Sequence, residues 1–212
     1  MKHRLILLSL ILLFFIGLQA NPRSVEPPEH PGAENTLVSF EGEELRFFLE
    51  KRADGRVWWK LEGKYYFSNS SGEFQQRHIA YPFPEGDDLG PVQLLSLSFE
   101  VDSGATVRLD SEAEHLWGFW MELPPQSLSP LTISYEQPVF GNRAAYIITS
   151  ARSWGRPLAF ARFTIVVDKS LRLVEAPFPG GSSEETDSAI IHSWDFFDFQ
   201  PDKDLELRFL EG

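Results

Sequence analysis

Apolar and polar residues alternate with a period of two along most of this chain, and no segment beyond residue 20 carries an apolar stripe at helical spacing. Val57, Trp59, Leu61, Tyr65 and Phe67 share one face of a run whose other face holds Lys60, Glu62 and Lys64. Leu95, Leu97, Phe99 and Val101 alternate with Ser96, Ser98 and Glu100, and Leu131, Ile133 and Tyr135 with Thr132, Ser134 and Glu136. Ala159, Ala161, Phe163, Ile165 and Val167 form a fourth row, and Leu205, Leu207 and Phe209 a fifth. Side chains on a strand point alternately to its two faces, so each row needs an apolar layer to cover it. The pattern predicts an all-β chain: a single-domain antiparallel β-sandwich of about ten strands. A partly closed β-barrel is the alternative.

Turn residues punctuate these runs. Asp54-Gly55 lies between two β-rich segments, a strong hairpin signal, and Ser103-Gly104 and Gly141-Asn142 occupy similar positions. Tyr81–Pro91, Leu123–Pro130 and Glu175–Ser188 read as loops. One domain over residues 37–212 is the economical reading, with a split near Pro124-Pro125 as the rival.

Residues 1–20 have the layout of an export signal. Lys2, His3 and Arg4 precede an apolar run, and Gly17-Leu18-Gln19-Ala20 offers a cleavage site. The run from Leu5 to Leu18 falls short of the roughly 20 residues that span a bilayer, so a retained anchor is the weaker reading. After cleavage the chain is expected not to span a membrane. Residues 21–36, with Pro22, Pro27, Pro28 and Pro31 and little that is apolar, read as a flexible spacer. The address is exported, periplasmic or secreted, yet the chain has no cysteine and so no disulfide to staple it. Fold stability must then come from the core, which the Phe residues beyond residue 20, sixteen of the eighteen, can supply. Loss of Lys2 and Arg4 with the signal takes the formal charge from −12 to −14, which disfavours nucleic acid as a partner.

Chemistry is sparse. There is no cysteine nucleophile and no G-x-S-x-G elbow. His78, His115 and His192 stand in no zinc spacing. No cofactor is expected. Calcium is the one metal to consider, through Asp87-Asp88, Glu184-Glu185 with Asp187, and Asp202 with Asp204, although none has EF-hand spacing. Paired carboxylates could serve glycoside hydrolysis, but with 31 acids such pairs arise by chance. Outward aromatics are better candidates for binding: Trp58 and Tyr66 fall on the polar face of their strand, and Trp120 falls opposite Trp117 and Phe119. Arg152-Ser153-Trp154-Gly155-Arg156-Pro157 places Trp154 between two guanidinium groups, foremost as a turn pinned by stacking and secondarily as a binding element. Asn69-Ser70-Ser71 matches an N-glycosylation acceptor, although the absence of cysteine favours a bacterial source.

Several of these blocks together resemble a family of bacterial exported β-sandwich proteins of unknown function. They are Phe67-Ser68-Asn69, Tyr81-Pro82-Phe83-Pro84, Tyr146 with Thr149, Trp154 with Pro157, and the stretch from Trp194 to Leu205. The similarity spans about residues 57–210 and implies a β-sandwich in the envelope, with no catalytic residues attached.

The expected function is therefore a non-catalytic binding or scaffolding module of the bacterial envelope, whose partner is an envelope protein or a glycan. The alternative is a carbohydrate-binding or carboxylate-dependent carbohydrate-active protein. The binding candidates are Trp58, Tyr66, Trp120, Trp154 and Arg156.

Overall fold

Fourteen strands in three sheets build the part of the chain that a computed structural model describes: the backbone of Arg23–Ser24 and residues 37–212 apart from 85 and 114. The export segment and most of the spacer lie outside the described residues. The strands are β1 (Arg23–Ser24), β2 (Val38–Lys51), β3 (Val57–Asn69), β4 (Gln75–Pro82), β5 (Gln93–Phe99), β6 (Thr106–Ala113) and β7 (Leu116–Leu123). They continue as β8 (Ser127–Val139), β9 (Arg143–Tyr146), β10 (Leu158–Asp168), β11 (Leu171–Glu175), β12 (Ser182–Glu185), β13 (Ala189–Phe199) and β14 (Leu205–Glu211). Two 3₁₀ turns, Val101–Ser103 and Thr149–Trp154, interrupt them. No described helix is long and apolar enough to cross a membrane.

A seven-stranded sheet, in the order β12-β13-β10-β2-β3-β8-β5, forms one layer. A four-stranded sheet (β1-β4-β7-β6) and a three-stranded sheet (β11-β14-β9) cover its inner face. The sheets stay open, so the architecture is a sandwich rather than a barrel. Neighbouring strands run antiparallel except β2 and β10, which pair in parallel at the centre of the large sheet. The inward rows of Phe, Leu, Ile and Val form one continuous apolar cluster from Val38 to Phe209. Full burial of such side chains stabilises by about 1.5–3 kcal/mol each, which explains how the fold dispenses with disulfides.

The β3, β8 and β14 rows are buried as the alternation predicts. The β5 row is not. A bulge between Leu94 and Ser96 inserts one residue, so Leu94, Leu97 and Phe99 face the core side while Leu95 is exposed. A single extra residue shifts the phase of the pleat. Val101 lies beyond the strand in a 3₁₀ turn and is almost wholly exposed, and Ala159 is also exposed at the start of β10. Of the three turn signals, only Asp54-Gly55 closes a hairpin, with Gly55 at φ +82°. Ser103-Gly104 and Gly141-Asn142 are corners at which the chain leaves the large sheet for one of the smaller ones. Within the expected loop Glu175–Ser188 lies β12, a short, fully exposed edge strand against β13. Arg23–Ser24, inside the segment read as spacer, pairs with Ile79–Ala80 of β4.

Candidate functional site

Trp58 and Tyr66 do lie on the outer face of the large sheet, but their rings are already occupied. The Arg52 guanidinium sits 4.1 Å from the Trp58 ring centroid and is itself held by both Glu136 carboxylate oxygens, at 2.6 and 3.2 Å. Phe160 meets Tyr66 edge-on at 5.2 Å, with the Lys64 ammonium 5.5 Å from the Tyr66 centroid. Partial burial, followed by the nearby Glu44 carboxylate, raises the Tyr66 pKa. A ligand would have to displace a cation from either ring, so this face is a weak stacking platform.

Trp154 turns inward. Its ring packs on Phe40 and Phe67 at 6.0 and 5.6 Å. The flanking arginines tie the corner to other segments: Arg152 Nε donates to the Pro201 carbonyl and Arg156 pairs with Glu41. Thr149 in the same turn donates from its backbone N–H and its hydroxyl to Asp204, at 3.0 and 2.7 Å. The sequence predicts a turn pinned by arginine stacking on Trp154; these contacts tie the corner through partners distant in sequence.

Trp120 differs from the other candidates. It lies on the outer face of the four-stranded sheet, 40% exposed, while Trp117 and Phe119 are buried on the opposite face as the alternation predicts. Strand register places His78 and Arg108 on either side of it, with Gln76 and Thr106 flanking Glu122 one step along. Gln76, Thr106, Arg108 and Glu122, with Trp120, line a shallow groove of about 500 Å³, and His78 stands beside it. The imidazole of His78 lies 4.9 Å from the indole centroid, and Gln76 Nε2 donates to Glu122 at 2.8 Å. In β6 a bulge skips Asp110 between Leu109 and Ser111 and aims its carboxylate at His78, with Nε2 to Oδ2 at 3.4 Å. Gly118 makes room for this arrangement, because a Cβ there would meet Ser111 Oγ at 2.5 Å and His78 Nε2 at 3.1 Å. The groove thus offers an exposed aromatic ring bordered by donors and acceptors of both charge signs, on a rigid sheet.

Alternation singled out Trp120 but none of its neighbours. They occupy strands separated in sequence, and only pairing brings them to one place. Of the five predicted residues, only Trp120 lines this groove.

A second polar group lies inside the sandwich. The hydroxyls of Tyr65, Tyr81 and Tyr146, one from each sheet, form a triangle with sides of 2.7, 2.7 and 3.1 Å. Glu43, 0% exposed, stands directly across from Tyr65 on β2. Burial first, with the Glu43 carboxylate adding to it, pushes the Tyr65 hydroxyl well above its usual range. The signal for Glu43 was present in the sequence. Inward positions change parity between Phe40 and Leu45, and Gly42 marks the bulge that turns Glu43 to the core.

Asn69 is 1% exposed, and its amide donates to the carbonyls of Glu73, Leu123 and Pro124 at 2.8, 3.1 and 2.8 Å. That excludes it as a glycosylation acceptor in the folded chain. Each stranded acceptor costs about 1–3 kcal/mol, so Asn69→Ala is expected to lower the stability measured by urea unfolding by about 3 kcal/mol. Among the described residues no three His, Asp or Glu side chains converge on one point. Lys169 holds Glu185 at 2.9 Å and lowers its pKa by that hydrogen bond. His192 lies against Trp194 at 6.2 Å, and burial lowers its pKa.

No family model matches the sequence, and no curated protein does. Solved structures do match the fold. A Legionella pneumophila protein provisionally designated nutrient-binding has a TM-score of 0.63 at 15% identity, over 91% of this chain and 70% of its own. A provisionally assigned protease of Parabacteroides distasonis gives 0.41 at 11% identity, over 81% of this chain and 40% of its own. An M1 zinc metallopeptidase of Deinococcus radiodurans gives 0.45 at 10% identity, over 74% and 39%. At such identities the first similarity establishes the fold and nothing more, and the other two are too loose to carry an argument.

Proposed function

We propose that this chain is a non-catalytic binding module of the bacterial envelope and that the Trp120 groove is its ligand site. The observation that carries this reading is an indole 40% exposed on a regular sheet, beside His78 and Arg108 and close to Gln76 and Glu122. Exposed aromatic rings on rigid scaffolds mark contact sites, and a groove with few, well-placed polar groups gives orientation. The nutrient-binding designation of the Legionella pneumophila protein is compatible with a binding role. The ligand class that suits the groove is carbohydrate. A sugar ring presents a flat C–H face to the indole, and its hydroxyls both donate and accept. A groove carrying one arginine, one glutamate and an amide matches such a neutral ligand better than it matches a strongly charged one.

The experiment is a glycan array followed by calorimetry on residues 21–212. Trp120→Ala is expected to weaken binding at least about tenfold, a loss of about 1.4 kcal/mol. The melting temperature should not change, since the ring lies outside the core. Retained affinity in that variant, or no glycan bound by the wild type, would overturn the reading.

The address belongs to the same proposal: residues 1–20 act as a cleaved signal, 21–36 as a spacer and 37–212 as the domain. Expression of the full chain in a Gram-negative host should yield a periplasmic or released protein whose first residue is Asn21. A cytoplasmic product beginning at Met1 would refute it.

A further inference from the structure

Three neighbouring side chains in the core carry polar atoms that no protein group satisfies. Trp59, Tyr135 and Gln137 are each 0% exposed, and Trp59 Nε1, the Tyr135 hydroxyl and both amide atoms of Gln137 have no hydrogen-bond partner among the described residues. Strand register makes the three residues neighbours. Gln137 lies directly across from Trp59 in the β3–β8 pair, and Tyr135 is the next inward residue on β8, opposite Leu61. Directly opposed residues hold their Cβ atoms about 4.5–5.5 Å apart, and inward neighbours on one strand are separated by about 6.6 Å. The three side chains therefore enter one part of the core beneath the large sheet.

Leaving one buried polar group unpaired is costly, and leaving four together is rare in native proteins. The set is also chemically complementary to one kind of occupant. The indole N–H donates only, the amide oxygen accepts only, the amide nitrogen donates, and the hydroxyl does either. A carboxylate or phosphate would satisfy the donors but face the Gln137 oxygen with another acceptor. An ammonium ion would do the reverse. A small neutral molecule that both donates and accepts satisfies all of them.

We propose that Trp59, Tyr135 and Gln137 form an internal hydration site, holding one or two long-lived waters in the sandwich core. Such a water accepts from the Trp59 indole and donates to the Gln137 oxygen, while the amide nitrogen and the Tyr135 hydroxyl complete its shell. Buried waters characteristically make about three such bonds. The site is independent of the Trp120 groove, which lies on the outer face of the four-stranded sheet.

Water-oxygen magnetic relaxation dispersion on residues 21–212 counts waters that exchange slowly, and a high-resolution crystal structure locates them. The wild type should show a long-lived water within hydrogen-bonding distance of Trp59 Nε1 and the Gln137 amide. Gln137→Leu should abolish its contribution to the dispersion. Tyr135→Phe, which deletes a single oxygen and so spares the packing, should shorten its residence time. A dry core in the crystal with the indole and amide bonded directly to each other would overturn the proposal. So would a dispersion signal unchanged in both variants.

Discussion

Raising the pH above about 10 should unfold this protein steeply. Tyr65, Tyr81, Tyr135 and Tyr146 are wholly buried, and burial is the largest reason that each hydroxyl is held well above its usual range. In the unfolded chain the same groups ionise near pH 10. Below that pH both states are protonated and the stabilisation is complete. Above it the unfolded chain loses protons that the native state keeps, so stability falls with rising pH until the native values are reached. Each tyrosine contributes about 1.4 kcal/mol per pH unit, and four together about 5.5, against a total stability of about 5–15 kcal/mol. The transition is expected near pH 11–12. It should appear as one cooperative loss of β-sheet circular dichroism, coincident with a jump in tyrosinate absorbance. Of the five tyrosines, only the partly exposed Tyr66 should titrate beforehand. Gradual ionisation of four or more tyrosines with the sheet signal intact would contradict the structure.

Gly63→Ala should be the most damaging conservative substitution in the core. Gly63 precedes Tyr65 on the inward face of β3, and the Tyr65 ring folds back over it. A Cβ at 63 would stand 2.6 Å from the Tyr65 hydroxyl and 2.7 and 2.8 Å from ring carbons Cε2 and Cζ. The ring has nowhere to retreat, since it is 0% exposed and meets Tyr81 edge-on at 5.9 Å. Overpacking costs about 1–3 kcal/mol, and displacing the hydroxyl also breaks two bonds of the triangle. The expected loss is about 3–5 kcal/mol by chemical denaturation. Tyr65→Phe alone should cost about 1–2 kcal/mol, because it removes the hydrogen bonds but not the ring. Combining the two should relieve little of the Gly63→Ala penalty, because the ring carbons still clash. If the double variant recovers nearly all the stability of Tyr65→Phe, the close approach of ring carbon to residue 63 is wrong.

Both predictions concern the place where the three sheets meet, and the blocks behind the family resemblance contribute heavily to it. Tyr81, Phe83 and Tyr146 are 0% exposed there, Phe67 and Asn69 close the adjoining corner, and Thr149 caps the turn onto Asp204. Short motifs of this kind were read as marks of kinship. In the structure they are fastenings between layers. The bacterial relative in fold, at 15% identity, supports the shared architecture without extending to chemistry.

What could be read along the chain was whatever depends on residues two apart. Alternation alone established the all-β class, the inward rows of β3, β8 and β14, and the exposure of Trp120 opposite Trp117 and Phe119. It failed at bulges. One inserted residue in β5 exposed Leu95, another in β6 aimed Asp110 at His78, and a comparable irregularity beside Gly42 turned Glu43 inward. The turn signals marked where the chain bends but not whether it returns to the same sheet.

The tertiary structure decided everything that depends on which strands meet. It covered Trp58 with Arg52, buried Trp154 against Phe40 and Phe67, and drew tyrosines from three sheets into one triangle. It also brought His78, Trp120 and Arg108 from three separate strands side by side on one outer face. The physical reason is that side-chain direction is a local property of an extended backbone, whereas adjacency is set by hydrogen-bonded pairing between distant segments. A sequence displays the first directly and the second only once the sheets have formed.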